Sequence, residues 1–278
     1  MVTRDGRISF RPVGDSHIRR ARLLEGVQIV GYETGASDDG PALTLTDGDG
    51  LTRQPLDPGE RLEYTLGDRR CAGTLSKGTH IGCSNPAAPY CDDHSYTWVC
   101  ARCTGTCLKD EMDCFEAHAV YLAAFAPARF KVGVTRAWRL DTRLREQGAD
   151  RAAHLHTVSN GRIAREIESG IAREIGDRVR VPTKIRGLAD TVDLVAWEAL
   201  LEGYDPIETF AFEYDLPLTE HPVRETIASG TVVGTKGRIL VLERGGTTYA
   251  VDMRDLVGYE VREGPSDRAL QSSLGAFA

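Results

Sequence analysis

Cysteine is missing from most of this chain: all seven lie between positions 71 and 114 of 278 residues. A disulfide framework spread through the fold is therefore excluded, and an odd count argues against complete pairing within the cluster. No apolar run reaches ~18 residues, so a membrane-spanning helix is not expected. The N-terminus lacks the apolar core of a signal peptide, and a cytoplasmic location is expected. No internal repeat is present. Excess positive charge is also absent, since the net charge is −7. The distribution of charge is uneven, however. Residues 119–190 hold 14 Lys/Arg against 8 Asp/Glu, while the remainder is strongly acidic. A basic segment inside an acidic protein is the footprint of a polyanion site.

What is present reads as an α+β protein in four regions. Residues 1–68 form a β-rich N-terminal region. Strands are expected at residues 27–32, 42–46 and 61–66, with Asp47-Gly48-Asp49-Gly50 as a hairpin turn. Residues 69–116 are cysteine-rich and lack apolar periodicity. Residues 117–190 give an α/β pattern: strands at 119–125 and 130–135, a helix near 136–147 stopped by Gly148, and a helix near 161–175 capped by Asn160. Ile163, Ile167, Ile171 and Ile175 form the buried stripe of that second helix. Residues 191–278 are mixed. A helix is expected within 191–201, and a small antiparallel β unit is organised around the Gly245-Gly246 turn.

The cysteine-rich region cannot bury enough apolar surface to offset its ordering entropy, so metal is the expected staple. Two four-ligand sets use every cysteine. One is Cys71, Cys83, Cys91 and His94; the other is Cys100, Cys103, Cys107 and Cys114. Each contains a closely spaced pair, as tetrahedral zinc sites do. An iron–sulfur cluster also accepts four thiolates, but the spacing departs from the ferredoxin runs. A redox Cys-x-x-Cys lacks its surrounding βαβ pattern, and His80 is a rival to His94 without a close partner. Two structural zinc ions are expected, with no open coordination position for catalysis.

Residues 118–176 carry a second constellation. Ala119-Val120-Tyr121 is followed by Lys131-Val132-Gly133-Val134-Thr135, then Arg143 on one helix and Glu168 on the next. This order resembles the GIY-YIG nuclease superfamily. The whole chain also resembles an uncharacterised, largely archaeal family of domain-of-unknown-function proteins, sharing the cysteines, the Val-Tyr-Leu-Ala run and Gln147-Gly148-Ala149. The first resemblance implies a divalent-metal-dependent endonuclease. It makes Tyr121, Lys131, Arg143 and Glu168 the catalytic residues, with Mg²⁺ or Mn²⁺ at Glu168 and DNA or RNA as partner. The sequence departs from that pattern at Lys131, where the family has its second tyrosine, and at Ala119, where it has glycine. A longer interval before Arg143 leaves Arg139 as a rival.

Physical chemistry supports those roles independently. Phosphodiester hydrolysis needs an activated nucleophile, a cation against the developing charge and help for the leaving group. A lysine with lowered pKa can act as base, and an arginine can neutralise phosphate. Glu168 falls at the edge of the isoleucine stripe at about 100° per residue. Each residue also has an ordinary reading as a core tyrosine, a solvated cation or a surface carboxylate. His154 and His156 would share one strand face and are expected to ligate nothing. Trp138 is expected in the core, with base stacking as its other role. The alternative function is a non-catalytic zinc-containing adaptor that binds nucleic acid or protein.

Overall fold

The alternating apolar residues near the two ends of the chain come together in one sheet. The structure, a computed structural model, describes residues 26–36, 39–95, 114–264 and 270. Strands β1 (Val27–Thr34), β2 (Pro41–Thr46), β3 (Leu51–Pro55) and β4 (Arg61–Arg69) supply the N-terminal half. Strands β11 (Val223–Arg224), β12 (Ala228–Lys236), β13 (Ile239–Arg244), β14 (Thr247–Asp252) and β15 (Tyr259–Glu263) supply the rest. Their order is β11-β14-β13-β12-β4-β15-β1-β2-β3. The N-terminal region and the C-terminal β unit, separate in the sequence reading, thus form a single nine-stranded sheet. β15 is inserted between β4 and β1 rather than extending the β13–β14 hairpin. Ile29, Leu43, Leu62, Leu240, Leu242, Val251 and Met253 pack into its main core.

The middle of the chain builds a second sheet. It contains β7 (His118–Phe125), β8 (Arg129–Arg136), β9 (Arg151–Val158) and β10 (Glu208–Ala211), in the order β10-β9-β7-β8. β7 is buried along its whole length because it is central and covered on both faces. Ala119, Tyr121, Ala123 and Phe125 face α1 (Leu140–Gln147) through Leu140 and Leu144. Val120, Leu122 and Ala124 face α2 (Gly161–Ile175) and α4 (Leu194–Leu201) through Ala164 and Trp197. The two expected helix caps are present: Gly148 ends α1 at φ 67°, and at the start of α2 the Asn160 side chain accepts from the Ile163 N–H at 3.0 Å.

Two expectations are corrected here. Trp138 is 71% exposed, because it lies in the short 3-10 turn Ala137–Arg139 before α1 and not on a packed helix face. Ile163 is 38% exposed at the start of α2, while Ile167, Ile171 and Ile175 pack as the stripe requires. A short helix the sequence reading lacked, α3 (Val181–Arg186), crosses to the larger sheet and packs Ile185 against Ile239 and Val241. The remaining elements are the β5–β6 hairpin (Thr74–Ser76, Thr79–Ile81) and α5 (Met253–Leu256). Among the described residues, no helix is long and apolar enough to cross a membrane.

Candidate functional site

The site begins with a close approach in the β7–β8 hairpin. Tyr121 pairs with Gly133, and its ring lies over that glycine. A Cβ at Gly133 would stand 2.5 Å from the Tyr121 hydroxyl and 2.6 Å from ring carbon Cζ. Glycine is therefore what lets the phenol cross β8. The hydroxyl accepts from Gln147 Nε2 at 2.6 Å, so the end of α1 holds it in place. Burial raises the Tyr121 pKa despite the lowering influence of Arg143 and Gln147. The phenol therefore stays protonated.

Lys131 lies on the same face of β8, with Nζ 5.9 Å from the Tyr121 ring centroid. Burial and the Arg143 guanidinium push its pKa down to about 8, against the pull of Glu168 and Asp177. Arg143 projects from α1, with Nη1 3.1 Å from Glu146 Oε2. Its rival Arg139 grips the other oxygen of Glu146 at 2.7 Å. Only Arg143 of the two lines the cleft described below. Glu168 belongs to α2, on the opposite face of the sheet from α1. It reaches the same space because β8 is an edge strand that leaves the way round open. Glu168 is buried, and its Oε2 is engaged by Arg165 Nη1 one turn earlier.

All four sequence-predicted residues thus line one cleft of about 1090 Å³. Its opposite wall comes from the nine-stranded sheet through Tyr32, Arg238, Asp252 and Arg254. The walls are tied together. Lys236 Nζ meets Asp150 Oδ1 at 2.6 Å, and Lys184 Nζ of α3 donates to the Gln147 carbonyl at 2.7 Å. Lys184 also stands 3.9 Å from the Phe125 ring centroid. Its burial among Lys131, Arg238, Arg143 and Lys236 lowers its pKa to about 7. Arg165, Lys184 and Arg238 were missed in the sequence. Arg165 had a local signal, one turn before Glu168 on the same helix. Lys184 and Arg238 had none, because only the tertiary fold brings them to the cleft.

A second cluster lies away from the cleft. One ligand atom each from Cys71, Cys83, Cys91 and His94 falls within 4.8 Å of the others, so the group could hold a metal ion. Cys71 Sγ is 3.6 Å from Cys91 Sγ and 3.4 Å from His94 Nδ1, and Cys83 Sγ is 4.0 Å from Cys91 Sγ. Burial opposes ionisation of Cys71. The N–H groups of Cys91 and Gly73, aimed at its sulfur, outweigh that effect and lower its pKa. His80 points elsewhere: its Nε2 is 2.7 Å from the Ala72 carbonyl. Of the second ligand set, Cys100, Cys103 and Cys107 lie outside the described residues. Cys114 is half-buried, and its carbonyl accepts from the Gly161 N–H at 2.9 Å. His154 interacts with Thr157 and the His156 carbonyl, and His156 is exposed.

A family model described as "Protein of unknown function (DUF2797)" matches residues 59–261. The chain belongs to this family. The matched segment runs from just before β4 into β15, so it takes in the Cys71 cluster and the cleft walls apart from the β1 residues around Tyr32. No curated protein and no solved structure matches the chain.

Proposed function

We propose that the protein binds nucleic acid and hydrolyses phosphodiester bonds with a divalent metal, through a GIY-YIG-like centre stapled by zinc. The observation that carries this reading is the convergence of Tyr121, Lys131, Arg143 and Glu168 on one cleft, from two strands and two helices. A non-catalytic adaptor needs cations in a groove, but it does not need a lysine held near neutrality beside a buried carboxylate.

The roles follow from the local chemistry. Lys131, close to half-deprotonated near pH 8, takes the proton of the attacking water. Arg143 neutralises charge on the phosphate oxygens. Tyr121 is positioned by Gln147, is kept protonated by burial, and gives its own proton as a hydrogen bond to the phosphate or the nucleophile. The lysine thus takes over the basic role that the family's second tyrosine would share. Glu168 is the residue to hold Mg²⁺ or Mn²⁺. One of its oxygens is bound by Arg165, and Oε1 accepts from none of the described residues, so a single-carboxylate site fits. Such an ion would supply charge stabilisation at the phosphate.

For the Cys71 cluster we assign structural zinc. Thiolates at ~2.3 Å from a tetrahedral ion stand about 3.8 Å apart, and the Cys71–Cys91 and Cys83–Cys91 separations of 3.6 and 4.0 Å agree. Three thiolates and one imidazole leave no open position, so this ion serves the fold. With the second ligand set, elemental analysis is expected to find two zinc ions per chain. The catalytic reading is tested by incubating DNA and RNA with Mg²⁺ or Mn²⁺ and comparing the wild type with Glu168→Ala. Cleavage is expected from the wild type alone. Equal activity of the two proteins refutes the role of Glu168.

A further inference from the structure

The cleft also holds cations that the proposed hydrolytic chemistry does not use. Lys184 is the centre of that excess. Its ammonium touches one carbonyl oxygen and one aromatic ring, and among the described residues it forms no ion pair. The charges around it are Lys131, Arg143, Lys236 and Arg238. Lys236 and Arg238 are already neutralised by Asp150 and Asp252, while Lys184 and Lys131 are not. Like charges gathered in a partly buried cleft are costly unless an anion completes them. Helix α3 fixes Lys184 here, since Ile185 beside it is locked into the core of the larger sheet.

The size and lining of the space narrow the ligand. A volume of about 1090 Å³ lies just above the range of small-ligand sites, roughly 300–1,000 Å³. The two sheets meet closely beside the cleft, where the end of α1 meets the turn after β12: a Cβ at Gly237 would stand 2.6 Å from the Gly148 nitrogen. Walls fixed this closely suit one or two nucleotides and not a turn of duplex. Tyr32, Val179 and Pro182 line the same cleft and offer apolar surface to a base.

We propose that Lys184 forms a second phosphate subsite, so that the cleft takes a short single-stranded oligonucleotide or nucleotide carrying a terminal phosphate beside the scissile one. This deepens the hydrolase reading and rests on it for the placement of the scissile phosphate. The subsite itself is a matter of binding and is measured without catalysis.

The test is titration calorimetry of the full, zinc-loaded chain in buffer without Mg²⁺ or Mn²⁺, with three probes: a thymidine dinucleotide, the same dinucleotide with a 5′-phosphate, and a blunt-ended DNA duplex. The phosphorylated dinucleotide is expected to bind at least about tenfold more tightly than the unphosphorylated one, the size of one charge-assisted contact, and more tightly than the duplex. Lys184→Met is expected to remove most of that preference, and Lys184→Arg to retain it. Equal affinity of wild type for the two dinucleotides, preferred binding of duplex, or an unchanged preference in Lys184→Met overturns the subsite. If the methionine variant does not fold, the wild-type comparison decides alone. A preference without cleavage in Mg²⁺ or Mn²⁺ leaves the subsite standing and removes the hydrolase. Cleavage without a preference does the reverse.

Discussion

At the scale of single residues, the contact between Gly133 and Tyr121 is the most exposed to substitution. The phenol is almost wholly buried and held by Gln147, so it has nowhere to retreat from an added methyl group. Gly133→Ala is expected to lower stability by about 1–3 kcal/mol, as overpacking does, and to weaken the Gln147 contact. Urea unfolding of the variant measures this, and an unchanged midpoint would show that the ring moves freely. The two lysines make a second prediction, through pH. Lys131 is lowered to about 8 by burial, with Arg143 and Arg165 adding to the effect and Glu168 and Asp177 opposing it. Raising the pH through that value frees its amine, so kcat should rise with pH. Lys184, lowered to about 7 by burial among Lys131, Arg238, Arg143 and Lys236, loses its charge over a lower range, so KM should also rise. Initial rates measured across the neutral to mildly alkaline range separate the two limbs. Lys131→Arg, which cannot deprotonate there, is expected to abolish the kcat limb. The residues of the first wall were legible because each sits on a short, locally readable element. Lys184 was not, because its neighbours are far from it in sequence.

At the scale of elements, the helices were readable where the backbone signals were local. Asn160 at the start of α2 and Gly148 at the end of α1 stand where capping chemistry places them. The failures came where propensity is silent. α3 is six residues long, too short to show a period, and Pro182 early in it was its one signal. Trp138 looked like a core residue because tryptophan usually is one; the 3-10 turn that exposes it leaves no periodic trace. The Cys71–His94 cluster was legible in its candidate ligands and silent in its support. The β5–β6 hairpin folds back on Gly73, where any side chain would collide with the Ile81 carbonyl. Cys91 Sγ lies within 4.0 Å of a candidate ligand atom of each of the other three, and the Cys91 carbonyl also accepts from the His94 and Ser95 N–H groups. Cys91→Ser is expected to lose one zinc per chain. It should also loosen the adjoining end of β4, where the Arg70 N–H donates to Gly258. Elemental analysis reads the first effect, and hydrogen exchange at Arg70 and Cys71 the second. Retention of two zinc ions would exclude Cys91 as a ligand.

At the scale of the whole molecule, the nine-stranded sheet decides how the chain behaves. Sequence patterns identified β1, β2 and β4 one by one and the β13–β14 pair by its turn, but pairing across nearly the whole chain has no local signature. β4 lies between β12 and β15, and β15 between β4 and β1, so neither end of the chain completes the sheet alone. The four-stranded sheet is joined to it by Lys236–Asp150, by α3 and by the contact of Gly237 with the end of α1. These ties bury groups that would be costly to separate: Asp150 receives both Lys236 and the Ala126 N–H, and Tyr214 donates to the Ala149 carbonyl. The two sheets should therefore unfold together. In a Trp98→Phe background, tryptophan fluorescence reports on the four-stranded unit through Trp138 and Trp197, while far-UV circular dichroism also registers the larger sheet. Coincident urea transitions by the two probes are expected, and Lys236→Met should shift both midpoints equally. Separate transitions would mean that the sheets fold independently, and that the cleft between them opens without the protein losing its fold.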